Sequence, residues 1–111
     1  MDFQIIQKKT VATVVSKTPK ITALNATELK DAFSSLNKKS INSIIFDLSE
    51  SKYCDSSGLS AILLGNRLCK DTNGSFILCG LQASVLKVIQ IAQLDKVLII
   101  AENEEAALKL L

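Results

Sequence analysis

The residues best suited to chemistry stand together in Asp55-Ser56-Ser57-Gly58-Leu59, at the end of the polar stretch Ser49 to Gly58. Hydroxyls, an acid and a glycine at the expected start of a helix allow two readings. In the first, Asp55 or Ser56 caps the helix by accepting hydrogen bonds from first-turn amides, and Gly58 supplies backbone freedom. In the second, an exposed serine hydroxyl accepts a phosphoryl group. A phosphoserine carries about −1.5 to −2 charge at pH 7, and the free amides and positive dipole end of a helix stabilise such an anion. The fold would survive the modification, but a partner packed against this helix start with apolar or acidic groups would be repelled.

Other chemistry finds less support. Cys54 would be a nucleophile or redox sensor only if a helix N-terminus lowered its pKa, and the sequence contains no histidine to act as its base. Asp47, Glu50 and Asp55 could hold Mg²⁺, but no glycine-rich loop with an adjacent lysine accompanies them, so they read as solvated or capping carboxylates and no metal or cofactor is expected. Cys54, Cys69 and Cys79 lie 15 and 10 positions apart, without the short paired spacing of a zinc or redox site, and read as reduced apolar residues. Tyr53 suits a partner contact or the rim of a core. The chain is therefore not expected to be an enzyme.

Alternating strand and helix signals surround the motif. Residues 3 to 7 and 10 to 16 read as two antiparallel strands joined at Lys8-Lys9. The single proline, Pro19, marks a loop. Asn25, with Glu28 three positions on, reads as a capping box for a helix carrying Ala26, Leu29, Ala32, Phe33 and Leu36. Ile41 to Leu48 has the continuous hydrophobicity of a central strand. Leu59 to Lys70 is helical by period and stops at Asp71-Thr72-Asn73-Gly74. A strand over Ser75 to Cys79, a helix over Ser84 to Ala92, a strand over Val97 to Ala101 and a helix capped by Asn103 complete the order. The expected fold is α/β: one domain over residues 1–111, a mixed, mostly parallel sheet with an antiparallel N-terminal strand, and about four helices. Sites in such sheets gather where strand carboxyl ends meet helix N-termini, which points to residues 49 to 59.

Composition narrows the function classes. With 48% apolar and 22% charged residues the chain is an ordinary globular one, and 111 residues suffice for one core but not two. Twelve lysines and one arginine, Arg67, are scattered and balanced by 11 acids, which argues against a nucleic-acid reader. The start Met1-Asp2-Phe3-Gln4 lacks a basic region followed by a long apolar stretch, and no apolar run reaches the ~18 residues of a membrane span, so the chain is expected to be cytoplasmic.

Asp55-Ser56-Ser57-Gly58-Leu59 resembles the Asp-Ser-Ser/Thr-Gly motif of the STAS domain family of anti-sigma-factor antagonists, set at a helix start after a buried strand. The order of elements is similar over nearly the whole chain. The resemblance implies that Ser57, just before the glycine, is the residue phosphorylated, with Asp55, Ser56, Gly58 and Leu59 supporting recognition. It also implies the partners: an anti-sigma factor that is itself an ATP-dependent serine kinase, captured by the unphosphorylated form, and a PP2C-like phosphatase that resets the switch. STAS modules also occur in sulfate-transporter tails, stressosome scaffolds and lipid-transport complexes, which leaves a constitutive scaffold or transport-complex subunit as the alternative. One departure stands out. Many family members carry a Gly-Glu-Leu-Asp-like stretch before the first helix, where this chain has Lys17-Thr18-Pro19-Lys20-Ile21-Thr22-Ala23-Leu24-Asn25.

Overall fold

The computed structural model describes residues 2–111; Met1, first residue of the segment read for a leader, lies outside them. Strands β1 (Phe3–Lys8) and β2 (Val11–Ser16) form the expected antiparallel hairpin, with Phe3 opposite Ser16 and Lys8 opposite Val11. The connecting loop is Lys9-Thr10 rather than Lys8-Lys9, and Lys9 takes a positive φ of 56°. After a two-residue strand β3 (Lys20–Ile21), helix α1 (Ala26–Lys38) leads to β4 (Ser43–Asp47). A second two-residue strand, β5 (Tyr53–Cys54), precedes α2 (Ser56–Asp71), followed by β6 (Ser75–Cys79) and α3 (Ala83–Ile91). A 3₁₀ turn at Leu94–Lys96, β7 (Ile99–Ala101) and α4 (Glu104–Lys109) end the chain.

The main sheet has the order β1-β2-β4-β6-β7, antiparallel only at its first pair. β4 is central, as its unbroken hydrophobicity predicts, and Ile44, Ile45 and Phe46 are fully buried. Because side chains alternate across a strand, Ile44 and Phe46 join the core beneath α1, α2 and α3, while Ile45 faces the opposite layer with Ile77, Cys79, Ala101 and Ala107 of α4. The larger core centres on Phe33 of α1. Its ring meets Phe46 and Phe76 edge-to-face at centroid separations of 5.4 and 5.3 Å, the arrangement that aromatic quadrupoles prefer.

Helix ends are closed by backbone hydrogen bonds instead of by glycine. At α1, Ile41 N–H donates to Leu36 O (3.0 Å) and Ser40 N–H to Asn37 O (3.0 Å), with Ser40 at φ 66°. At α2, Gly74 N–H donates to Cys69 O (2.7 Å) and Asn73 N–H to Lys70 O (3.2 Å), with Asn73 at φ 60°. Both are Schellman closures, and in both a non-glycine residue takes the left-handed position. Gly74 has a different duty: a Cβ there would lie 1.7 Å from the carbonyl oxygen of Asn42, just before β4.

Candidate functional site

The motif is presented by a small second sheet. β3 pairs in parallel with β5, Lys20 opposite Tyr53 and Ile21 opposite Cys54, and the ribbon is extended by Lys52 N–H and Tyr53 N–H donating to Pro19 O and by Asp55 N–H donating to Ile21 O. Two-residue strands carry no readable alternation, which is why β5 has no signal in the sequence. Side chains tie the same two segments together. The hydroxyls of Ser16 and Ser51 lie 2.7 Å apart, Ser51 Oγ donates to Thr18 O at 2.8 Å, and Lys17 Nζ meets Glu50 Oε2 at 3.0 Å. Ser16 and Ser51 are fully buried, so their hydrogen bonds are needed to offset desolvation; the exposed ion pair adds under about 1 kcal/mol. α3 holds the segment from the other side, through Gln82 Nε2 to Ser49 O (2.9 Å) and Ser84 Oγ to Lys52 O (2.6 Å).

Against this frame α2 starts at Ser56, three residues before its apolar periodicity becomes visible. Asp55 is the N-cap, its Oδ1 accepting from Gly58 N–H at 3.0 Å, while Leu59 N–H donates to Asp55 O. Ser56 and Ser57 occupy the first two helical positions, where amides have no partner within the helix. Ser56 is exposed and Ser57 half-buried, and among the described residues neither hydroxyl makes a hydrogen bond to protein. Leu59 packs partly buried against the main core. Gly58 corrects the sequence expectation. No special backbone freedom is used there; the residue is buried because a Cβ would fall 2.6 Å from Cys54 Sγ and 2.9 Å from both Ile21 Cγ2 and Ile21 O. Glycine lets the first turn of α2 lie directly on β3.

Asn25 is corrected as well. It precedes α1 but makes no side-chain cap; its Oδ1 accepts from Thr22 N–H (2.9 Å) and its Nδ2 donates to Asp2 Oδ2 (3.1 Å) and Lys20 O (2.9 Å). It therefore shapes the turn between β3 and α1. Asn103 does cap α4, accepting from Ala106 N–H at 2.8 Å.

The remaining candidates separate from the site. Asp47 Oδ1 accepts from Ser49 N–H, Glu50 pairs with Lys17 and Asp55 caps α2, so each carboxylate is occupied locally, and no group of three metal-ligating side chains occurs among the described residues. Tyr53 is half exposed beside the motif. Cys54, although adjacent to Asp55, is buried, and desolvation followed by the Asp55 charge pushes its thiol up to about 12. Burial likewise raises Cys69 to about 11, and burial with the charges of Asp47 and Glu104 raises Cys79 to about 12.

These thiols make a pH prediction. Their folded pKa values lie above the ordinary 9.0, so the stabilisation is fully present below pH 9 and is lost as pH rises toward 11 to 12. At pH 10 the unfolded chain gains roughly 1 kcal/mol per ionised thiol. The urea midpoint should fall between pH 8 and pH 10 in the wild type and stay level in a variant with all three cysteines replaced by alanine or serine. At pH 7.5 the native protein should leave Ellman's reagent nearly unreacted until denaturant is added.

Two recesses lie away from Ser57. A recess of about 340 Å³ lined by Lys30, Ser60, Leu63, Leu64 and Arg67 lies along α1 and α2, and one of about 370 Å³ lined by Ile6, Lys8, Val11, Thr13, Glu104 and Leu108 lies on the opposite sheet face. Neither is lined by Ser57. No helix among the described residues is long and apolar enough to cross a membrane.

Known structures share this architecture. A candidate anti-sigma factor antagonist from Thermotoga maritima superposes with a TM-score of 0.85 at 24% identity, covering 96% of this chain and 92% of that one. The Bacillus cell fate determinant SpoIIAA, in its phosphorylated form, gives 0.77 at 20% identity, with 98% and 99% covered. The murine Solute Carrier 26 family member A9 anion transporter gives 0.74 at 16% identity, with 95% of this chain matching 18% of the transporter. At these identities the likeness is one of fold. A family model for the STAS domain matches residues 3–107, from the first strand into the last helix, and the chain therefore belongs to the STAS domain family.

Proposed function

We propose that this protein is an anti-sigma-factor antagonist, a cytoplasmic protein-binding switch of 111 residues acting as one STAS unit, with Ser57 as its phosphoacceptor. The observation that carries the reading is the unengaged Ser57 hydroxyl in the first turn of α2, beside free amides and packed on the β3–β5 ribbon through Gly58, in a chain of this family. The chemistry asked of the protein is small. Ser57 Oγ attacks the γ-phosphorus of ATP held by a partner serine kinase, the new O–P bond forms as the bond to ADP breaks, and the hydroxyl proton passes to a base on the partner. Asp55 and Gly58 fix the turn, and Ser56 and Leu59 contribute to the contact surface. The unphosphorylated form captures the kinase, which is itself the anti-sigma factor, and so frees a sigma factor for transcription. The added dianion ends that capture, and a PP2C-like phosphatase restores it. Binding, not catalysis, is the activity.

Incubation with ATP and serine kinases from the source cells should add one phosphate by intact mass, mapping to Ser57 and absent in Ser57→Ala. Modification that persists unchanged in Ser57→Ala would overturn the assignment. A second reading, a constitutive scaffold or transport-complex subunit, draws on the fold likeness to a segment of an anion transporter. It predicts membrane-transport partners whose binding is indifferent to Ser57→Asp, whereas the switch predicts loss of binding.

A further inference from the structure

We propose that β1 is the surface through which two copies of this chain pair, the two strands running antiparallel about a two-fold axis at Ile5 so that the main sheets join into one. The strand stands at the edge of the sheet, with β2 on one side and, among the described residues, no element on the other. Such edges are normally blunted by shortness, proline, charge or a bulge, because their unpaired backbone groups template pairing with another chain. The opposite edge follows that rule, since β7 has three residues and leaves a 3₁₀ turn. β1 does not. It runs for six residues, Phe3-Gln4-Ile5-Ile6-Gln7-Lys8, with no proline and no charge before its last position, and Ile5 and Ile6 are 45% and 42% exposed.

The hydrogen-bond ladder fixes how a second copy sits. Phe3 lies opposite Ser16, which places Asp2 opposite Lys17, and Lys17 N–H donates to Asp2 O at 2.7 Å. Hydrogen-bonded pairs alternate along an antiparallel ladder, so Asp2, Gln4, Ile6 and Lys8 turn their backbone groups to β2, and Phe3, Ile5 and Gln7 turn theirs outward. A two-fold axis normal to the sheet keeps each side chain on its own face, so odd positions meet odd and even positions meet even. Only an axis at Ile5 engages every outward residue: Ile5 meets Ile5 of the second copy and Phe3 meets its Gln7, each pair exchanging both N–H···O bonds. The same register sets Asp2 opposite Lys8 of the second copy, and Lys8 opposite its Asp2. An axis at Gln4 or Ile6 would leave Gln7 or Phe3 beyond the end of the opposing strand and separate these charges. Backbone hydrogen bonding and charge thus select one register independently, and that self-complementarity identifies the occupant as a second copy. On the α4 side, Gln4 of the second copy falls opposite Ile6, beside the recess that Ile6 and Lys8 line. Short β7 offers no matching edge, so the assembly closes at two chains. Nothing in this pairing depends on the phosphoacceptor assignment.

Edge pairing makes a small interface, of the reversible class below about 1,200 Å², so sedimentation equilibrium of the full chain from about 10 μM to about 1 mM should show monomer passing into dimer. Ile5→Lys, which sets like charges at the axis, should weaken association about tenfold or more. Lys8→Glu and Asp2→Lys should each do the same alone. Mixing those two variants should restore association to within about threefold of wild type, because every facing pair is again of opposite charge. Amide exchange reads the register: Gln4, Ile6 and Lys8 should be protected at every concentration, and Phe3, Ile5 and Gln7 only where the dimer forms. Asp2 Oδ2 also accepts from Asn25 Nδ2, so thermal midpoints are measured alongside, and Ile5→Lys with Lys8→Glu carries the test if Asp2→Lys does not fold. A wild type that stays monomeric at about 1 mM overturns the proposal, as does a dimer undiminished in Ile5→Lys or one that leaves the Ile5 amide unprotected.

Discussion

Phe33→Ala should lower the unfolding free energy by about 3–5 kcal/mol, a large share of the 5–15 kcal/mol typical of a whole domain. Phe33 is fully buried and its ring meets both Phe46 of β4 and Phe76 of β6, so truncation removes two edge-to-face contacts and leaves a cavity between α1 and the sheet. Collapse into that cavity is restricted by α2. Gly65 lies directly over the ring, where a Cβ would come 2.8 Å from Phe33 Cδ2 and 2.7 Å from Phe76 Cε1. Urea denaturation followed by circular dichroism measures the change. Phe33→Leu, which keeps much of the volume, should show a clearly smaller loss; a loss under about 1 kcal/mol for Phe33→Ala would mean that the three rings are not the centre of the core.

Gly74→Ala should be comparably damaging for a different reason. The new Cβ would occupy the space of Asn42 O, a backbone atom, so no rotamer change can relieve the overlap. The starts of β4 and β6 would have to separate, straining Ser75 N–H to Asn42 O (3.1 Å) and Asn42 Nδ2 to Thr72 O (2.7 Å). Overpacking of this kind costs about 3 kcal/mol when it must be relieved by backbone movement. Asn73→Gly, one residue earlier, should be near neutral or slightly stabilising, because glycine accepts the left-handed conformation that Asn73 already holds. If the two substitutions were reversed in rank, the steric account of Gly74 would be wrong.

The contrast between these two neighbours explains how far the sequence could be read. Asp71-Thr72-Asn73-Gly74 announces a helix end, and the helix does end there, but the run does not say which residue takes the left-handed position, which belongs to Asn73. Ser40 and Gln93 close α1 and α3 in the same conformation without any glycine. Long periodic elements were legible because their signal is summed over many residues: α1, β4, β6 and α3 fall within a residue or two of expectation. β7 was read two residues too long because Val97 and Leu98 continue its apolar run, although the chain there is still leaving a 3₁₀ turn. At the motif, residue types alone narrow the cap to Asp55 or Ser56, and Asp55 is the one that caps α2. They could not show that Gly58 is needed for contact with Ile21, a residue 37 positions earlier, nor that Ser51 is a buried clip instead of a loop hydroxyl. Both facts depend on β3 pairing with β5, and strands of two residues leave no trace in a hydrophobicity pattern.

The β3–β5 ribbon also bears on what an enzyme acting at Ser57 could use as substrate. Residues 49 to 58 take their shape from Pro19 O and Ile21 O, from Ser16 and Thr18, and from Gln82 and Ser84 at the start of α3. Cut out as a linear peptide, the same ten residues would keep their chemistry and lose every one of those supports. A kinase acting at Ser57, as proposed, would therefore need the folded protein and would work poorly on such a fragment.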